Sequence, residues 1–287
     1  VGREIERKFL VCGEFLSQVT SSSRISQGYI AKSDSLTLRI RTRDERGYLT
    51  IKGRGDKDGI SRNEWEWEIP YAEARELLER AERVNPSAAV YDLLGTVCQE
   101  LGDDAAAVKC FQKLHRLDPS DSECCLELAQ AYALGAGVRQ DDEIALRYFQ
   151  KAANLGDSYG MFMVGLHYYE GLGTRRNFKR AVDYFKRSLE MGDTRALYHL
   201  GICCSRGEGV RQDAAAAAGY WQRGAALNDS PCCVSLAMYC ADSGELQRAE
   251  ELLAQAREYM TEGDEELERQ MEIVQLCMDT IRGESAN

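Results

Sequence analysis

Beyond residue 90 the chain repeats itself. Gly95, Ala129, Gly165, Gly201 and Ala237 follow one another at spacings of 34, 36, 36 and 36 residues. Ala107, Ala145, Ala181, Ala217 and Ala249 form a second series, with Phe111, Phe149, Phe185, Trp221 and Leu253 four residues after them. A unit of this length accommodates two helices and cannot bury its apolar face alone. A small residue on the first helix admits the second at close range, and a large one fills the neighbouring gap. Stacked helix pairs, an α-solenoid, are the expected outcome.

Two repeat families are visible in these units. Residues 88–121 resemble a tetratricopeptide repeat, with Tyr91, Leu94, Gly95, Gly102, Ala107, Phe111 and Pro119 at its signature places. The next three units resemble Sel-one-like repeats. Each carries an additional glycine loop, Gly-Ala-Gly at 135–137, Gly-Leu-Gly at 171–173 and Gly-Glu-Gly at 207–209, and Gly-Val-Arg-Gln-Asp occurs at both 137–141 and 209–213. Residues 230–263 form a shorter unit, and the charged stretch 264–282 is expected to cap the stack. The resemblance implies a peptide or protein partner on the concave solenoid surface. The glycine loops lack the following Lys-Ser/Thr of a phosphate loop, so they read as helix-to-helix turns. His115, His167 and His199 lie on different repeats and read as packed or surface residues rather than ligands.

Residues 1–70 follow another rule. Polar and apolar residues alternate at 37–43, 48–52 and 64–69, the period of strands. Turn-like segments at 44–47 and 53–59 separate them and predict an antiparallel meander. Alternation places Glu4, Glu6 and Lys8 on one face of a strand, Arg39 and Arg41 on one face of another, and Arg62, Glu64, Glu66 and Glu68 on one face of a third. Lys52 shares its face with Thr50. Paired carboxylates are costly to hold together unless a cation offsets them, and hard divalent cations take such oxygen ligands. Guanidinium and ammonium groups on the same face suit phosphate oxygens.

This segment resembles the N-terminal half of the CYTH superfamily, the triphosphate tunnel metalloenzymes. The likeness rests on Glu-Ile-Glu-Arg-Lys-Phe-Leu-Val at 4–11, Gln-Gly-Tyr-Ile at 27–30, Thr-Leu-Arg-Ile-Arg at 37–41, Leu-Thr-Ile-Lys-Gly at 49–53 and Ser-Arg-Asn-Glu-Trp-Glu-Trp-Glu-Ile-Pro at 61–70. It implies metal ligation by Glu4 and Glu6 and phosphate contacts from Lys8, Arg39, Arg41, Lys52 and Arg62. It further implies a catalytic role for Glu64 and Glu66, in metal binding or in orienting the attacking water. The implied cofactor is Mg2+ or Mn2+, the substrate a triphosphate-containing small molecule and the activity that of a hydrolase. The family's further strands do not follow residue 78, where the repeat pattern takes over. The expected fold is therefore α+β: a partial tunnel barrel at 1–70, a connecting helix at 71–86 and the solenoid at 87–287. Such a half-sheet could be completed by a second chain in a homodimer, or could serve a non-enzymatic scaffold that binds polyphosphate at most.

Composition narrows the remaining classes. The net charge is −11, with 13 Lys and Arg against 11 Asp and Glu in residues 1–70, so the rest is strongly acidic. No basic stripe suited to nucleic acid stands out, and no stretch is long and apolar enough for a membrane span. The 11 cysteines match no zinc pattern; the adjacent pairs at 124–125, 203–204 and 232–233 read as small apolar helix residues. Reduced thiols and a charged, leaderless beginning make a cytoplasmic location the expectation.

Overall fold

The computed structural model describes residues 3–4, 25–32, 36–43, 46–55, 62–261 and 263–285. Five strands come first: β1 (Arg3–Glu4), β2 (Ile25–Lys32), β3 (Leu36–Arg43), β4 (Arg46–Gly55) and β5 (Arg62–Ile69). Twelve helices follow among the described residues. They are α1 (Tyr71–Val84), α2 (Ala88–Glu100), α3 (Asp104–Leu117), α4 (Ser122–Leu134), α5 (Asp142–Asn154) and α6 (Ser158–Glu170), then α7 (Phe178–Glu190), α8 (Ala196–Arg206), α9 (Ala214–Ala225), α10 (Ser230–Asp242), α11 (Leu246–Tyr259) and α12 (Glu265–Ser285). The chain divides into two compact units, 1–148 and 149–287.

In the first unit the strands form an antiparallel sheet in the order β1-β5-β4-β3-β2. The β3–β4–β5 meander follows the alternating sequence. Register shifts interrupt the ladder between Tyr29 and Ala31 on β2 and between Lys52 and Gly55 on β4, each accommodating one additional residue. The described side chains of the sheet share a core with the helices. Ile69 and Leu49 join Ala74 and Leu78 of α1, and Leu93, Leu94 and Phe111 of the next hairpin, in one apolar cluster. Two ion pairs hold α1 against that hairpin: Arg75 Nη1 to Asp103 Oδ2 at 2.9 Å and Lys113 Nζ to Glu82 Oε1 at 2.6 Å. Helix α1 therefore roofs the sheet with one side and begins the helical stack with the other.

The repeat signal has a direct physical basis. A Cβ added to Gly95 would stand 2.6 Å from the Phe111 ring, and one at Gly165 would stand 2.7 Å from the Phe185 ring. Each hairpin closes only because its first helix lacks a side chain there. The glycine loops carry a second constraint. Gly135, Gly171 and Gly207 end their helices in the left-handed region at φ 73°, 81° and 71°. Two residues on, a Cβ at Gly137 would lie 2.3 Å from the Asp104 carbonyl carbon, and one at Gly209 would lie 2.4 Å from that of Phe178. The loop thus lies directly on the start of an earlier second helix.

Helix starts repeat as well. Asp121, Asp157 and Asp229 accept the backbone N–H of Cys124, Gly160 and Cys232 at 3.0, 2.6 and 2.8 Å. Asp193, at the corresponding place, grips Arg195 instead, through Nε and Nη2 at 2.8 Å each. The Arg195 guanidinium in turn lies 4.3 Å over the Tyr159 ring. At the far end Leu267, Met271, Val274 and Met278 of α12 seal the apolar cluster of α8–α11, the expected cap.

Cysteine behaves as a small apolar residue: Cys98, Cys110, Cys124, Cys125, Cys203, Cys204, Cys232, Cys233 and Cys240 are all buried free thiols. The histidines are packing residues. His167 is buried with Nδ1 3.0 Å from the Leu172 carbonyl, and His199 lies against Phe185 and Phe162 with ring centroids at 5.1 and 5.4 Å. His115 meets the Tyr148 ring edge-on at 5.5 Å.

Candidate functional site

The register of the sheet decides which sequence positions share a face, because directly opposed antiparallel residues project to the same side. Across the middle of the sheet Tyr29, Arg39, Thr50 and Glu66 form one row over β2, β3, β4 and β5. The row beside it joins Thr37, Lys52 and Glu64, and the row on the other side joins Gln27, Arg41, Tyr48 and Glu68. At the β1 edge Glu4 stands opposite Arg62. Since Arg62, Glu64 and Glu66 alternate along β5, Glu4 enters the same face as Arg39, Arg41, Lys52, Arg62, Glu64 and Glu66. Leu38, Ile40, Leu49, Ile51, Trp65, Trp67 and Ile69 occupy the opposite face, where Leu49 and Ile69 meet α1.

Seven of the nine residues singled out in the sequence therefore fall on one face. Glu6 and Lys8 lie outside the described residues. At the centre Thr50, in register with Arg39 and Glu66, is fully buried. Tyr29, Gln27 and Tyr48 belong to it too. Sequence reasoning passed over them because a lone tyrosine or glutamine in an alternating strand carries no signal of its own.

The chemistry of the donor set fits a hard divalent cation. Glu4, Glu64 and Glu66 offer carboxylate oxygens, and the Arg39, Arg41, Lys52 and Arg62 positions on that face offer only donors. Among the described residues alone, no group of three or more His, Cys, Asp or Glu side chains is close enough to hold a metal ion.

The second unit carries a different kind of cavity. Tyr198, Ile202, Trp221, Val234, Met238 and Ile273 line an apolar pocket of about 280 Å³ between α8, α10 and α12, with Arg206 and Gln270 at its rim. Among the described residues no helix is long and apolar enough to cross a membrane.

Comparison with known proteins agrees with both halves. Residues 2–114 match the family model described as CYTH domain, and residues 122–157, 158–193 and 194–229 each match the Sel1 repeat. The CYTH match thus runs beyond β5 through α1 and α2 and into α3, helices whose sequence reads as the solenoid's beginning. Over 79 residues the chain is 43% identical to a protein named inorganic triphosphatase from Acetivibrio thermocellus, covering 28% of this chain and 49% of that protein. The chain spans about half the length of this curated relative. Among solved structures, a Sel1 repeat protein from Oxalobacter formigenes is similar with a TM-score of 0.57 and 22% identity, over 66% of this chain and 83% of that one. The Escherichia coli antigen c5321, described as displaying an SLR fold, is similar with a TM-score of 0.59 and 24% identity, over 66% of this chain and 42% of that one. These two likenesses establish the helical-repeat fold.

Proposed function

We propose that the chain joins a triphosphate-hydrolysing sheet to a protein-binding helical scaffold, with an inorganic or organic triphosphate as substrate and Mg2+ or Mn2+ as cofactor. The observation that carries the reading is the register: Glu4 opposite Arg62, Lys52 opposite Glu64, and Arg39, Thr50 and Glu66 in one row. Mixed carboxylates and cations on a single face match the needs of a polyphosphate. The CYTH match and the 43% identity to an inorganic triphosphatase support it.

On this reading Lys8, Arg39, Arg41, Lys52 and Arg62 hold the phosphate oxygens and set the chain of phosphates along the strands. Glu4 and Glu6 would hold the divalent cation, which supplies charge neutralisation at the phosphoryl oxygens and acidifies bound water. Glu64 and Glu66 orient the attacking water and accept its proton. The oxygen of that water bonds to the terminal phosphorus as the bridging P–O bond breaks, and the leaving diphosphate keeps the electron pair. Phosphate release from tripolyphosphate with added Mg2+ or Mn2+ tests the reading. Turnover no greater than that of a Glu4→Ala, Glu6→Ala double variant would defeat it.

A second reading takes its support from the helices that follow β5 and from the partial span of the curated relative. Here the sheet binds tripolyphosphate without turnover and the repeats do the protein's work as an adaptor. Titration calorimetry with tripolyphosphate, beside the release assay, separates the two. On either reading the apolar pocket between α8 and α12 is a seat for a partner's side chains, and strand pairing between two chains would close the sheet's β1 and β2 edges.

A further inference from the structure

A cationic face interrupts the acidic second unit. Residues 149–287 hold 15 Lys and Arg against 21 Asp and Glu. Within them, Arg175, Arg176, Lys179, Arg180, Lys186 and Arg187 stand in a run that holds one acid, Asp183, with Glu190 one turn beyond Arg187. All six cations are exposed, and among the described residues none of them makes an ion pair. On the helices nearby Arg248 pairs with Glu245 and Arg282 with Glu250, while Arg206, Arg211, Arg223 and Arg257 are single exposed cations without an ion pair among the described residues. A set of unpaired like charges raises the local potential and favours an anionic occupant.

The geometry is more specific than a charge count. Arg180 and Arg187 stand two turns apart on α7 and border an open pocket of about 460 Å³. The Arg180 guanidinium lies 5.4 Å over the Tyr168 ring and its Nη1 donates to Tyr168 Oη at 3.2 Å. The Arg187 guanidinium lies 5.2 Å over the Tyr184 ring. Stacking on an aromatic ring holds the fork in place and leaves N–H edges for a planar carboxylate. Gln150 and Asn154 of α5 complete the wall with amide groups that suit a peptide backbone.

We propose that this face docks an acidic protein segment whose carboxylates engage Arg180 and Arg187. Seven residues of helix place the two arginine backbones about 10 Å apart along the axis. A polyproline-II peptide rises about 9 Å in three residues and returns to the same face, so Glu or Asp at every third position matches the pair. Asp183 lies between the arginines and disfavours an acid at the intervening positions, which makes spacing part of the recognition. A nucleic acid fits less well, because a long polyanion meets the repulsion of a chain with net charge −11. The proposal rests on the scaffold reading above and names the partner's chemistry; neither the sheet's chemistry nor the apolar pocket enters it.

Fluorescence anisotropy of the full chain with a fluorescein-labelled peptide of repeated Glu-Gly-Ser units tests it at low salt, where such contacts are least screened. Saturable binding is expected. The Arg180→Gln, Arg187→Gln variant should weaken it by about tenfold or more, as loss of two charge-assisted contacts requires. The Arg211→Gln, Arg223→Gln variant, which removes equal charge from the same unit, should bind as the parent does. Circular dichroism checks that each variant keeps its helices. Absent saturation, equal weakening in the two variants, or tighter binding of a labelled oligothymidylate than of the peptide would each overturn the proposal.

Discussion

Gly201 lies so close beneath the indole of Trp221 that an added Cβ would stand 2.1 Å from Nε1. The same indole N–H reaches the Tyr198 carbonyl at 3.4 Å, so the ring cannot withdraw without losing that contact. Gly201→Ala should therefore destabilise the protein by about 1–3 kcal/mol, the usual range for overpacking. Gly219 on α9 is exposed with nothing within 4 Å of an added Cβ. There the alanine substitution should stabilise by about 0.5–1 kcal/mol, because the glycine's freedom in the unfolded chain is lost. Urea midpoints for the two variants should move in opposite directions.

The sheet's chemistry gives a graded expectation. Glu4→Gln keeps the strand and its pairing with β5 but removes a charged oxygen donor, and should abolish metal-dependent phosphate release. On the proposed reading Lys52→Ala removes one phosphate contact and should lower kcat/KM for tripolyphosphate by about tenfold to a hundredfold, the range for a hydrogen bond to a charged group. Chelation of the divalent cation should reduce the parent to the level of the Glu4 variant, and restoring Mg2+ or Mn2+ should restore turnover.

His199 predicts a pH dependence of stability. Burial among aromatic rings draws its imidazole down to about 4 from an ordinary value of 6.5, and only Asp229 opposes that shift. As pH falls below 6.5 the unfolded chain takes up the proton first. Stability from this residue is complete above that value, declines as pH falls toward 4, and levels off below it. The loss amounts to about 3 kcal/mol at most. His199→Phe should flatten this part of the curve in urea titrations run between pH 7 and 4.

Burial also silences two of the thiols. The Cys203 thiol is pushed up to about 12 and that of Cys233 to about 11, chiefly by loss of solvent. Neither forms much thiolate at pH 8, where Ellman's reagent is used. The native protein should release colour quickly from Cys277, which is only partly buried, and from Cys203 and Cys233 only at the rate of unfolding.

The helical repeat was legible because its signal is redundant. Small residues, large residues, glycine turns and aspartate caps recur in step, and each reports the same closure of two helices. Alternation revealed β3, β4 and β5 for a similar reason, since every second residue states the face. The placement of β1 against β5 was not legible: two strands some sixty residues apart carry no local mark of their pairing. The helix after β5 was legible as a cover for the sheet and a start for the solenoid, because Ala74, Leu78 and Ala81 recur at helical spacing beside an apolar strand face, and Ile69, Leu78 and Phe111 do share one core. Asp193 departed from its series for a local reason: both the backbone N–H and the guanidinium of the neighbouring Arg195 donate to its carboxylate. The run at 175–187 carries no sequence signal beyond its charge, and the stacking of Arg180 and Arg187 over tyrosine rings emerges only in three dimensions.

Gly137 and Gly209 each press a loop against the beginning of a helix one hairpin back, at distances no side chain could share. Growth of such a chain is consequently quantised. Copying or deleting a complete unit returns a glycine to the same seat, whereas adding a single residue between the loop and the next helix would carry a bulkier neighbour into it. Length variation among proteins built this way should come in whole repeats, and designed variants should be lengthened on the same terms.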